Sequence, residues 1–98
     1  MKLEAFRQSL AQPQPPEDIS RPLAALWHAA NGAWNQAHEL AQQQEGDARH
    51  DWVHAYLHRV EGDASNARYW YKWANKPEAS GSLDAEWTAI VQTLLDMK

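Results

Sequence analysis

The sequence predicts an all-α fold in a single compact domain, and three observations carry that reading. Apolar residues recur at three- and four-residue spacing in six separate stretches. The glycines and most of the prolines fall between those stretches rather than inside them. No stretch shows the period-two alternation rich in Val, Ile and Thr that marks a strand. The chain has 98 residues, enough for one hydrophobic core.

The elements follow in order. Leu3, Phe6 and Leu10 share one helical face, which predicts a terminal helix over residues 1–12. Pro13, Pro15 and Pro16 end it and open a linker over residues 13–19. Ser20 is positioned to cap a second helix, and Pro22 suits its first turn. Leu23, Leu26, Trp27 and Ala30 form the inner stripe of that helix, and Gly32 stops it. A third helix runs from about Ala33 to Gln44, with Ala37, Leu40 and Ala41 inward. Asp47 is the candidate cap of a fourth, where Val53, Tyr56, Leu57 and Val60 share an arc, and Gly62 ends it. The fifth extends to about Asn75, with Ala67, Trp70, Tyr71 and Ala74 on its inner side. After a linker flanked by Pro77 and Gly81, Ser82 caps a C-terminal helix over residues 82–97. Asp84 and Glu86 sit in its first turn, where negative charge suits the helix dipole. Leu83, Trp87, Ile90, Val91 and Leu94 form its stripe. Trp27, Trp34, Trp52, Tyr56, Trp70 and Trp87 are the expected aromatic core.

The middle of the chain repeats. A shift of 30 aligns Gly32 with Gly62, Ala25 with Ala55, His28 with His58 and Ala37 with Ala67. Each copy, residues 20–46 and residues 47–77, reads as helix, glycine turn, helix. The prediction is two antiparallel helical hairpins with an extra helix at each end.

The second copy resembles a tetratricopeptide repeat. Gly62-Asp63, Ala67, Tyr71 and Ala74 match that family's G-D, A, aromatic and A positions, and Ala55 stands at its small-residue position. The first copy matches at Ala25, Gly32 and Ala37, with Ala41 in place of the aromatic, and the likeness spans residues 20–77. It implies a tetratricopeptide-like, protein-binding scaffold. The run Trp52-Val53-His54-Ala55-Tyr56-Leu57-His58-Arg59, followed by Glu61-Gly62-Asp63 and Tyr69-Trp70-Tyr71, also resembles the signature of a group of small uncharacterised bacterial proteins. Leu26-Trp27-His28 and Ala37-His38-Glu39 resemble its first half. That second resemblance implies a fold and carries no activity.

Composition removes several function classes. With no cysteine there is no disulfide scaffold, Cys-based zinc finger, iron–sulfur site or cysteine nucleophile. Nine Lys and Arg against thirteen Asp and Glu leave a net charge of -4, spread evenly over both halves. That balance argues against nucleic acid as a partner. No apolar run approaches the ~20 residues of a membrane span, and residues 1–12 lack a signal-peptide core. A soluble cytoplasmic protein with no membrane partner is expected. No Gly-rich phosphate loop or G-x-S-x-G elbow is present, which leaves Ser9, Ser20, Ser65, Ser80 and Ser82 without a catalytic context.

Two constellations remain. His50, His54 and His58 recur every four residues, so neighbours lie about 40° apart around a helix and a pair can reach one ion. Glu61 falls on the same arc, and His28 is the repeat mate of His58. His28, His54, His58 and Glu61 are therefore a candidate pocket, and His28, His54 and His58 a candidate metal set. The competing reading, which the sequence favours, makes these histidines hydrogen-bonded packing residues with Asp51 and Asp63 as acidic partners. On the fifth helix Arg68, Lys72 and Lys76 form a basic row beside an aromatic pair, Tyr69 and Trp73. Arg68, Tyr69, Lys72 and Trp73 are the candidate binding face, since aromatics beside cations anchor partners. The alternative packs Tyr69 and Trp73 under the last helix. The resulting expectation is a small helical-repeat interaction module that binds a protein or small-molecule partner, homodimerisation included, with no cofactor. The alternative is a pocket protein or metal-dependent enzyme using the histidines and a divalent ion.

Overall fold

Side-chain oxygens open four of the helices and left-handed backbone closes the hairpins. A computed structural model describes residues 1–97, and among these it contains six α-helices and no strand. They are α1 (Leu3–Ser9), α2 (Arg21–Ala30), α3 (Trp34–Ala41), α4 (Ala48–Val60), α5 (Ala64–Ala74) and α6 (Leu83–Asp96). The terminal helix is shorter than residues 1–12, because Leu10, Ala11 and Gln12 continue in tighter turns bonded three residues back. A single 3-10 turn, Gln42–Gln44, likewise follows α3.

Ser20, Asp47 and Ser82 cap α2, α4 and α6, accepting from the amides of Leu23, His50 and Ala85. Asp63 does the same for α5, accepting from Asn66. The two glycine turns are copies of one another. Gly32 (φ 78°) donates to the Ala29 carbonyl and Ala33 to that of His28. Gly62 (φ 87°) donates to Arg59 and Asp63 to His58. Each pair closes the orphan carbonyls of a helix end in a Schellman motif. The aligned glycines of the repeat thus hold the same backbone position. α2 folds back on α3, α4 folds back on α5, and α3 lies against α4. This arrangement is consistent with tetratricopeptide-like hairpins.

α4 touches α2, α3, α5 and α6, so it organises both the core and the candidate site. Phe6, Leu26, Val53, Leu57, Ile90 and Val91 are fully buried around it. Trp87 joins that core, with its ring 5.9 Å from that of Phe6 and its indole N–H donating to the Leu26 carbonyl at 2.9 Å. Trp27 anchors α1 by donating to the Ser9 hydroxyl at 3.2 Å. A smaller cluster of Ala55, Ala67 and Tyr71 joins α4 to α5, where the alanines allow close approach. The molecule measures 33 × 27 × 26 Å. No helix among the described residues is long and apolar enough to cross a membrane.

The edges of the predicted stripes differ. Ala30, Val60 and Leu83 are exposed, because they lie at helix ends where no neighbouring element continues. Trp27, Tyr56 and Trp87 are buried, as expected of the aromatic core. Trp34, Trp52 and Trp70 are half-buried: Trp34 packs on the main core, Trp70 on the cluster between α4 and α5, and Trp52 on both.

Candidate functional site

The candidate site arises where the second helix of one hairpin meets the first helix of the next. α3 contributes His38, and α4 contributes His54 and His58, one turn apart. The His38 imidazole meets the other two edge to face. The His38 ring centre is 4.7 Å from that of His54 and 5.2 Å from that of His58, and the His54 and His58 rings stack at 4.8 Å. One nitrogen from each ring lies within 4.8 Å of the others. Two indoles close the flanks. Trp34 stacks on His38 at 4.7 Å and Trp70 on His54 at 4.0 Å. Trp34 is itself fixed by donating to the Leu57 carbonyl at 2.7 Å.

The hydrogen bonds constrain the protons. His58 Nδ1 stands 2.5 Å from the Glu61 carboxylate, so Nδ1 is the donating nitrogen and Nε2 is the one turned toward any further partner. His54 Nε2 and His38 Nε2 face each other at 3.0 Å, a contact that needs one proton between two lone pairs. His54 Nδ1 is buried without a hydrogen-bond partner. An orphaned acceptor costs less than an orphaned N–H, so we assign the shared proton to His54 Nε2. Burial, reinforced by His38 and His58, pushes the His54 imidazole down to about 3. Burial and His58 also lower His38, against the opposing pull of Glu61 and Glu45. Both rings are therefore neutral at pH 7 and available as lone-pair donors.

His28 stands apart from this cluster. It sits edge-on to Trp27 at 5.1 Å and lines shallow grooves with Pro15, Gln36 and Glu39. Its place beside His54 and His58 is taken by His38. The repeat register pairs His28 with His58, but although α2 also packs on α4, the histidine that reaches His54 and His58 comes from α3. Glu61 does join the cluster, through His58. The other acidic partners also differ from expectation. Asp51 is fully buried and accepts from the Gly46 amide at 3.1 Å, while Asp63 caps α5. His50 instead pairs with Asp47, 2.6 Å away. Burial and the nearby Asp47 and Glu45 carboxylates raise the Asp51 carboxyl, with the Gly46 N–H opposing them.

The aromatic face of α5 lies outward. Tyr69 is 53% and Trp73 58% exposed, so neither is buried under α6. Their rings meet edge to face at 6.3 Å, and Tyr69 also meets Trp70 at 5.1 Å. Arg68 and Lys72 are exposed beside them. Arg68 pairs with Glu78 at 3.7 Å, and Lys76 lies 4.3 Å from the Trp52 ring centre. Among the described residues Lys72 makes no salt bridge.

Comparison with family models, with curated proteins and with solved structures finds no match.

Proposed function

We propose that the chain is a small interaction module in which tetratricopeptide-like hairpins present the outer face of α5 to an acidic segment of a partner protein. The observation that carries the reading is the open Trp73–Tyr69 pair, with Trp73 at 58% exposure. Buried or half-buried positions take every other tryptophan. A large exposed indole next to a tyrosine and cations has the composition of an interface anchor. Lys72 supplies positive charge that is unpaired among the described residues, while Arg68 is shared with Glu78. The chain as a whole carries -4, so this basic row is a local reversal of sign that suits carboxylates on a partner. The segment from Trp52 to Arg59 together with Tyr69-Trp70-Tyr71 supports membership of the small bacterial group it resembles, and the reading includes a cytoplasmic setting.

Panning a random dodecapeptide library against the tag-free protein tests this. Enriched peptides should pair an acidic residue with a bulky apolar one, and Lys72→Glu should weaken their binding about tenfold, in a salt-dependent manner. Peptides without acidic character, or binding indifferent to Lys72→Glu, would overturn the reading. Sedimentation of both proteins separates self-association from peptide capture. A dimer lost in Lys72→Glu would mean that a second copy is the occupant instead.

A further inference from the structure

We propose that His38, His54 and His58 form a binding site for one divalent first-row transition metal ion of the zinc type. Imidazole nitrogens suit zinc, copper, nickel and iron, and three of them plus one open position make a complete mononuclear set. The geometry is close to what such an ion requires. Two imidazole nitrogens on one tetrahedral zinc stand about 3.3 Å apart. His38 and His54 already hold theirs at 3.0 Å. A nitrogen of the third ring lies within 4.8 Å of the others, so a shift of the His58 side chain toward His38 and His54 is what binding requires.

The surroundings fit as well. Glu61 holds Nδ1 of His58, the carboxylate–histidine arrangement that fixes a ligand's tautomer and raises its basicity. Trp34 and Trp70 stack on two of the rings and restrict their rotation, which lowers the entropy lost on binding. His38 is only half-buried, so the ion has a route in from solvent on that side. An ion would take up both lone pairs that the metal-free chain shares through a single proton. That proton then moves to His54 Nδ1, which is buried without a partner. This cost places the expected affinity in the micromolar range rather than that of a preformed structural site.

The site is independent of the α5 binding face, and its test needs no partner. Tag-free protein freed of metal by chelation is titrated with zinc by calorimetry and with cobalt by visible absorption. The expected result is one ion per chain, cobalt bands of a nitrogen-ligated tetrahedral centre, and a higher melting temperature with zinc. His38→Ala, at the half-buried position least needed for folding, should abolish binding at micromolar metal. Glu61→Gln should weaken it about tenfold. His28→Ala should leave it unchanged. Absence of stoichiometric binding to the folded wild-type chain would overturn the proposal. So would undiminished binding by folded His38→Ala.

Discussion

The His54 ring is buried as a neutral imidazole, and that single protonation state has a measurable consequence. Its folded pKa of about 3 lies below the unfolded value near 6.5. As pH falls, the unfolded chain takes up this proton first. The ring's contribution is therefore fully present above about pH 6.5 and is lost as pH falls from there towards 3. Metal-free protein should lose about 1–2 kcal/mol of stability between pH 6.5 and 5, measured by urea denaturation in chelator. His54→Gln should flatten that slope, and a slope unchanged in the variant would mean that other groups supply it. At this scale the sequence revealed residue types better than partners. The four-residue spacing of His54 and His58 and the nearness of Glu61 are local, and both were readable. The role of His38 was not, because it depends on the register between two helices that only packing defines. The pairings of Asp47 with His50 and of Asp51 with Gly46 were missed for a related reason. A carboxylate near a helix start chooses among several amides and rings, and spacing alone does not rank them.

The helices themselves were the most readable part of the chain, because their boundaries are set by local chemistry. Ser20, Asp47 and Ser82 cap as their types and positions predict. Gly32 and Gly62 end their helices with positive φ in matching Schellman turns. A Cβ at either glycine would meet nothing within 4 Å, so the demand is purely conformational. Gly62→Ala and Gly32→Ala should each cost about 1–2 kcal/mol, and by similar amounts, since the two turns are the same. Equilibrium denaturation of both variants checks this. A cost at one turn only would show that the repeat is not a structural one. Val60 and Leu83 mark the limit of periodicity reasoning. Their spacing is right for an inner stripe, but a stripe is buried only as far as a neighbouring element extends.

Across the whole molecule, α4 ties the hairpins, the core and the histidine cluster into one body, and a polar link reaches from it to α5 and α6. Glu86 is buried and takes hydrogen bonds from Arg59 at 2.9 Å and from the Tyr71 hydroxyl. Burial and the adjacent Glu86 push the Tyr71 phenol well above its ordinary value, so it remains a donor throughout the useful pH range. Glu86→Ala should cost about 1–3 kcal/mol, because it leaves the buried Tyr71 phenol without its acceptor and takes from Arg59 its ion-pair partner, leaving it the Gly81 carbonyl and solvent. Thermal melting reads this directly. Against that interlocked interior, the exposed indole of Trp73 is the feature that folding does not explain. Because this ring is proposed to serve binding, its removal separates the two roles. The decisive measurement is Trp73→Ala assayed for melting temperature and for capture of the acidic peptides selected on the wild-type chain. An unchanged melting temperature with capture lost is the predicted result. A lowered melting temperature with capture intact would contradict it, and the indole would then belong to the fold.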